Sequence, residues 1–280
     1  MKKWYAVIGD PISHSLSPLM HSKWFEEMNV NATYIPIQVS KDQLHQAVKS
    51  LKLLGASGWN VTIPHKETII PLLDHLSESA EWMGAVNTVV VEQDGSLTGH
   101  NTDGDGFVNS LEETIGTQLK EAQILIVGAG GAARGIAFAL KAAGYVNISC
   151  TNRTFQTAET LMQDIGGKQA LSILSAEEKL NDFRIIIQTT PLGMKSKEDT
   201  LPISLDLLNP SAIVADIVYN PLLTPFLLHA EKKGATIVNG LGMFVHQGAL
   251  SFKKWTKEQP DTEQTVKELT RILGGPYVNR

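Results

Sequence analysis

The chain has 280 residues, 42% of them apolar and 19% charged, with a formal net charge of −5 and one cysteine. That length bounds one or two domains, and the composition excludes disorder, collagen-like repeats and low-complexity scaffolds. There is no basic excess of the kind that marks nucleic-acid binding, and a lone Cys150 excludes an internal disulfide framework and a Cys-based zinc cluster. No apolar run approaches the ~20 residues of a membrane span. Gly9-Asp10-Pro11 ends the first apolar stretch too early for a signal peptide, so a cytoplasmic protein is expected.

Trp4–Ile8 reads as a strand. Ser17-Pro18 then looks like an N-cap with proline at the first helical position, opening a helix that carries Leu19, Met20, Trp24, Phe25 and Met28. Thr33–Val39 is a strand. Ser40 and Gln43 form a capping box for a helix through Leu44, Val48 and Leu51. Trp59–Ile63 is a strand, and Asp94-Gly95 joins Val86–Glu92 to the Leu97 region as a hairpin. After Asp103 strands and helices alternate: strands at Ile124–Val127, Val146–Thr151, Arg184–Gln188, Ala212–Ala215 and Ala235–Val238 imply βαβ units and a parallel sheet covered on both faces. Leu241 to Tyr277 is mostly helical. The division expected is 1–103, 104–240 and 241–280, joined by short connections, with a cleft between the domains as the default site.

Gly128-Ala129-Gly130-Gly131-Ala132-Ala133 follows the Ile124–Val127 strand and opens a helix, matching G-x-G-x-x-G/A. Gly128 permits the tight turn, Gly130 lets the backbone approach a pyrophosphate, and Ala133 allows close helix–strand packing. The free N–H groups of the helix start supply an anion site. The next strand ends at Asn152-Arg153-Thr154, where an NAD enzyme would carry an acid. Arg153 can pair with a 2′-phosphate, which favours NADP, while Thr154 doubles as the N-cap of the next helix.

Hydroxyl- and amide-rich clusters lie outside this fingerprint: Ser13-His14-Ser15-Leu16-Ser17-Pro18, Asn60-Val61-Thr62-Ile63-Pro64-His65-Lys66, Gly84-Ala85-Val86-Asn87-Thr88 and Gly99-His100-Asn101-Thr102-Asp103-Gly104. With Asp216-Ile217-Val218-Tyr219-Asn220-Pro221 and Gly240-Leu241-Gly242-Met243-Phe244-Val245-His246-Gln247, they resemble the signature set of the shikimate dehydrogenase family, in order along nearly the whole chain. The resemblance implies reversible NADPH-dependent reduction of 3-dehydroshikimate to shikimate, a step in making aromatic amino acids. It implies two α/β domains, the second a Rossmann-like doubly wound parallel sheet, with a C-terminal helical segment packing back on the first. The expected partner is the small-molecule substrate, and a homodimer is left open.

By the same resemblance Ser15 and Ser17 hold the substrate carboxylate, Lys66 and Asp103 form a dyad at the reacting hydroxyl, and Thr62, Asn87, Tyr219 and Gln247 hydrogen-bond the substrate. Glu78, Ile217, Gly240 and Met243 fall toward the nicotinamide, and Thr189 toward the ribose. Chemistry agrees: an alkoxide formed by hydride transfer needs a proton, and a lysine can supply it. Asn87 and Gln247 can each donate and accept, which suits vicinal hydroxyls. The bland readings remain beside these: Asp103 as a helix N-cap, Ser15 and Asn87 as turn residues, Glu78 as a first-turn acid after Ser77. His14, His65 and His100 lack metal-ligand spacing, so no metal is expected. Two features depart from the family: Phe155-Gln156-Thr157 supplies no second basic residue, and Gln188 stands where Asn is common. A quinate/shikimate dehydrogenase with NAD, a non-catalytic NADP-binding redox sensor and a folate-linked methylene dehydrogenase are the competing readings.

Overall fold

The structure, a computed structural model, describes residues 2–194 and 200–274. The end of the 241–280 segment, residues 275–280, lies outside the described residues. Contacts divide the chain into two compact units: Met1–Thr102 with Gln247–Asp261, and Asp103–His246 with Thr262–Arg280.

In the first unit the elements run β1 (Lys3–Gly9), α1 (Ser17–Glu27), β2 (Ala32–Gln38), α2 (Leu44–Leu53), β3 (Gly58–Val61), β4 (His75–Leu76), α3 (Glu78–Met83), β5 (Thr88–Val91) and β6 (Leu97–His100). The sheet order is β2-β1-β3-β5-β6-β4. β1 is parallel to β2 and β3, whereas β5 runs antiparallel to both β3 and β6. The reversal between β5 and β6 follows from the hairpin, because so short a turn can join only antiparallel strands. Asp94 Oδ1 fastens it by accepting from the Ser96 main-chain N–H at 2.9 Å. Alternation along β1 sends Ala6 and Ile8 to one face, where they pack with Trp59, Val61 and the Leu44, Val48 and Leu51 stripe of α2. On the opposite face Tyr5 stacks on Phe25 of α1 at 5.4 Å and on Trp255 of the long helix Gly240–Thr256 at 4.8 Å.

The second unit holds α4 (Asp103–Ile115), β7 (Ile124–Val127), α5 (Gly131–Ala142), β8 (Ile148–Thr151), α6 (Phe155–Asp164), β9 (Gln169–Leu171), α7 (Ile173–Glu178), β10 (Ile185–Gln188), β11 (Ile213–Asp216), α8 (Pro225–Lys232), β12 (Thr236–Val238), the first part of α9 (Gly240–Thr256), and α10 (Thr262–Ile272). Its strands are all parallel in the order β12-β11-β10-β7-β8-β9. β7, β8, β10 and β11 are buried along their whole length, as strands covered on both faces must be. Ile124, Ile126, Ile185 and Ile187 face one core, while Leu125, Val127, Ile186 and Val214 face the other. Strands β7 to β9 are added to one side and β10 to β12 to the other, so the sheet is doubly wound with its switch point between β7 and β10. α4 lies tight on α5: a Cβ on Gly104 would strike the Gly135 carbonyl and sit 2.9 Å from Ala139 Cβ.

Local chemistry departs from the sequence reading in four places. Ser17 is the first helical residue rather than the N-cap; Leu16 holds that position, and Ser15 Oγ accepts from the Ser17 N–H at 3.3 Å. Ser40 and Gln43 bond side chain to side chain at 3.0 Å with no cap bond, because a 3₁₀ turn at Lys41–Gln43 intervenes before α2. Thr154 does occupy the N-cap of α6, but its hydroxyl makes no cap bond. β4 and β9, of two and three residues, are too short to show periodicity.

Candidate active site

The register of the second sheet aligns Val127 with Thr151 on one side and with Gln188 on the other. The residues after those strands, Gly128, Asn152 and Thr189, therefore emerge at the same carboxyl edge, on either side of the switch point. Gly128 has φ +109° and a Cβ there would lie 2.5 Å from Thr189 Oγ1, which itself donates to the Val127 carbonyl at 2.8 Å. Glycine is thus needed twice over, for its dihedral and for the close approach of Thr189. Gly130 caps α5 and Gly131 begins it, and nothing lies within 4 Å of where a Cβ would stand on either. That open, side-chain-free ground in front of the α5 amino end, with the main chain of Ala129 and Ala132 alongside, fits a pyrophosphate. Arg153 and Thr154 are exposed beyond β8, and Asn152 Nδ2 bridges to the Thr154 carbonyl at 3.0 Å.

The loop after β10 and the turn after β11 are tied by one buried carboxylate. Asp216 Oδ1 accepts from the Val218 N–H at 3.0 Å and from Gln188 Nε2 at 3.4 Å, and Oδ2 accepts from the Thr224 hydroxyl at 2.7 Å. Gln188 Nε2 also donates to the carbonyls of Thr190 and Leu192. Burial pushes the Asp216 carboxyl up to about 6, against which the three hydrogen bonds pull down. The glutamine that departs from the family pattern therefore serves the structure, since its extra methylene spans from β10 to its own following loop. Ile217 and Met243 pack partly buried on the apolar core of this unit. A Cβ on Gly240 would collide with the Ile217 carbonyl, so its glycine sets where α9 starts. Tyr219 stacks on Phe244 at 4.8 Å, and burial raises its phenol. Asp103 is the first residue of α4 and is half-buried.

In the first unit the hydroxyls and amides condense into a buried polar cluster. Ser17 hydrogen-bonds the Tyr34 phenol, which donates to Asn60 Oδ1 at 2.7 Å. Asn60 Nδ2 reaches the Asn87 carbonyl at 3.1 Å. Asn87 Nδ2 donates to Thr102 Oγ1 at 2.9 Å and to Gln247 Oε1 at 3.4 Å. Ser17, Asn87 and Gln247 are thus linked through residues that carried no assigned role, Tyr34, Asn60, Thr88, Thr102 and Ser251: Asn60, Thr88 and Thr102 lie in the polar clusters of the sequence, Tyr34 in an expected strand and Ser251 in the C-terminal helical stretch. Ser15, Thr62 and Lys66 are half-buried on loops of the same unit. The Lys66 carbonyl accepts from the Val86 N–H at 2.7 Å, which anchors the lysine's main chain one residue before Asn87. Glu78 is exposed in the first turn of α3 behind a Ser77 cap. His65 is buried with Nε2 on the Val39 carbonyl at 2.7 Å, and burial lowers His100 to about 4, leaving the His100 ring neutral.

A doubly wound sheet whose glycine turn opens at the switch point, in one chain with a unit that holds a buried cluster of amides and hydroxyls, defines a dinucleotide-dependent oxidoreductase of small polar substrates. Family profiles make it specific: the shikimate dehydrogenase substrate-binding domain matches residues 7–89, shikimate/quinate 5-dehydrogenase residues 110–197, and the shikimate 5′-dehydrogenase C-terminal domain residues 240–270. The chain is 58% identical to a shikimate dehydrogenase (NADP+) of Lysinibacillus sphaericus, over 98% of this chain and all of that one. A shikimate dehydrogenase solved with NADP+ superposes with TM-score 0.89 at 38% identity, covering 97% of this chain and 96% of the other. That of Thermus thermophilus, solved with NADP(H) and shikimate, superposes with TM-score 0.87 at 35% identity, covering 97% and 99%. The chain belongs to the shikimate dehydrogenase family.

Proposed function

We infer that the protein interconverts 3-dehydroshikimate and shikimate with NADP(H), a step in aromatic amino-acid biosynthesis. The observation that carries the substrate side is the buried cluster in which Asn87 and Gln247 meet at 3.4 Å: amides held in a desolvated setting suit a polyhydroxylated acid and not an apolar one. When bound, NADPH supplies the hydride. Gly128, Ala129, Gly130, Gly131 and Ala132 would hold its pyrophosphate, Asn152, Arg153 and Thr154 its adenosine 2′-phosphate, Thr189 its ribose, and Ile217, Gly240, Met243 and Glu78 the nicotinamide side.

Ser15 and Ser17 bind the substrate carboxylate at the start of α1, whose orphan N–H groups favour an anion. Thr62, Asn87, Tyr219 and Gln247 orient the hydroxyls. Lys66 gives a proton to, or takes it from, the oxygen at the reacting carbon, with Asp103 as its acidic partner. On this reading residues 1–103 are the substrate domain, 104–240 the cofactor domain and 241–280 the returning helices. The cytoplasm fits a chain whose single thiol, Cys150, is buried and pushed up to about 12. No helix among the described residues is long and apolar enough to cross a membrane.

The test follows near-ultraviolet absorbance of reduced nicotinamide, with shikimate against quinate and NADP against NAD. Shikimate with NADP is expected to be the fastest pair. Arg153→Ala should raise the KM for NADP about tenfold, the loss of one hydrogen bond to a charged group, and leave that for NAD unchanged. Quinate turnover equal to that of shikimate would replace the reading with the broader quinate/shikimate class. Equal NADP and NAD efficiencies in the unaltered protein would remove the role of Arg153.

A further inference from the structure

Asn87 has little choice about how it faces a ligand. Its Oδ1 accepts from the Thr102 main-chain N–H at 3.0 Å and from the Thr88 hydroxyl at 2.9 Å, with the Thr102 hydroxyl also at 3.2 Å. A backbone N–H can only donate, so the atom opposite it must be the oxygen of the carboxamide. The amide nitrogen is thereby turned toward Thr102 Oγ1 and Gln247 Oε1.

Behind Thr88 stands Ser251, a fully buried hydroxyl on α9, one turn after Gln247. Ser251 Oγ lies 2.7 Å from Thr88 Oγ1 and 3.1 Å from Asn60 Nδ2, and 3.0 Å from the Gln247 carbonyl. Thr88 and Ser251 are both 0% exposed, so water completes none of their bonds. Each hydroxyl has one proton to give, which orders the chain. Thr88 gives its proton to Asn87 Oδ1, and Ser251 shares its own between Thr88 Oγ1 at 2.7 Å and the Gln247 carbonyl one turn back at 3.0 Å. The Thr102 hydroxyl, at 3.0 Å, serves the Gln247 carbonyl. Asn60, held by Tyr34, turns its amide to Thr88 and Ser251 at 3.2 Å and 3.1 Å, sharing its two protons between them and the Asn87 carbonyl.

We propose that Thr88 and Ser251 are positioning residues that, with the Thr102 main-chain N–H, lock the Asn87 carboxamide with its oxygen inward, so that Asn87 meets the substrate as a hydrogen-bond donor only, through the amide proton that otherwise points to Gln247 Oε1 at 3.4 Å. This rests on the reading of Asn87 as a substrate ligand, and it narrows the expectation that Asn87 both donates and accepts. The substrate oxygen it binds is one that can accept, a hydroxyl whose own proton goes elsewhere or a keto oxygen. Buried, fully partnered networks of this kind fix a single arrangement because every alternative leaves a desolvated group unpaired.

The test compares two conservative variants. Thr88→Val keeps the shape and deletes the hydroxyl, whereas Thr88→Ser keeps the hydroxyl and deletes a methyl. Thr88→Val is expected to raise the shikimate KM about tenfold, the loss of one buried hydrogen bond, with the NADP KM unchanged. Thr88→Ser should stay within about twofold, since its hydroxyl still reaches Asn87. An unchanged shikimate KM in Thr88→Val, or an equal rise in Thr88→Ser, overturns the proposal, the second by showing that packing matters rather than the hydroxyl. Ser251→Ala carries the same prediction with a smaller rise, and decides the matter if Thr88→Val does not fold. Asn87→Ala is the control: no change in shikimate KM there would remove Asn87 from the substrate site altogether and the proposal with it.

Discussion

The two units build polar function from opposite materials. In the second unit the candidate cofactor ground is backbone: Gly128 at φ +109°, the bare Gly130 and Gly131, and the N–H groups opening α5. Its side chains make two apolar cores. In the first unit the candidate substrate ground is side chains, drawn from α1, β2, β3, β5 and α9 into a network that includes Ser17, Tyr34, Asn60, Asn87 and Ser251. A pyrophosphate is the same in every nucleotide and can be met by a generic turn. A substrate with several hydroxyls must be met group by group, and buried amides held in fixed orientation are what specify it.

The widest gap between the units should appear at Lys66, the side chain assigned the proton. Lys66→Ala is expected to cut kcat by roughly 10²–10⁴-fold, the usual contribution of a general acid–base group, with the shikimate KM moving far less. Near-normal turnover would shift the chemistry away from this lysine. A rise confined to KM would make it a binding residue like its neighbours.

Next in size is a pH effect on the second unit, whose buried carboxylate runs against its otherwise backbone-built site. Asp216 has a folded value of about 6 against an ordinary 3.8, raised chiefly by burial. The folded chain then holds this proton more tightly than the unfolded chain. Stability therefore falls as pH rises from about 4 to about 6, and the loss is complete above that window. The effect is at most about 3 kcal/mol, two pKa steps at ~1.4 each. Asp216→Asn carries no charge to bury, so its stability relative to the unaltered protein should climb between those pH values and then level off. Denaturation midpoints measured across the window check this. Parallel curves for the two proteins would show that the carboxyl titrates normally.

How far the sequence disclosed each site follows from the same contrast. The nucleotide turn is local: one strand, three glycines or alanines at fixed spacing and a helix all fall between Ile124 and Ala142, and the expected strand Ile124–Val127 is the one observed. The doubly wound sheet was equally legible, because fully buried strands read as short apolar runs. The substrate network was not. Asn60 and Ser251 are 191 positions apart and meet at 3.1 Å, a distance no periodicity encodes. Only the resemblance gathered Ser17, Asn87 and Gln247, and it passed over Tyr34, Thr88 and Ser251, whose bonds are to other protein groups. Ser17 also shows how a local rule misleads: a serine before proline has the pattern of an N-cap, yet the helix begins on it and its hydroxyl turns to Tyr34.

The smallest expected effect separates folding from binding inside the glycine turn. Gly128→Ala would force a Cβ onto a positive φ and to within 2.5 Å of Thr189 Oγ1. Strain of that kind costs about 1–3 kcal/mol, so both the thermal midpoint and NADP affinity should fall, the latter by roughly tenfold as the Thr189 loop shifts. Gly131→Ala meets nothing within 4 Å and lies in a helix. There alanine is the better helix former by about 1 kcal/mol, so its midpoint should hold or rise. A higher NADP KM in Gly131→Ala, with the fold intact, would mean the cofactor itself touches that position. If only Gly128→Ala loses affinity, and loses stability with it, the open ground at Gly131 is helix geometry alone, and the phosphate must be held nearer the strand end at Gly128 and Ala129.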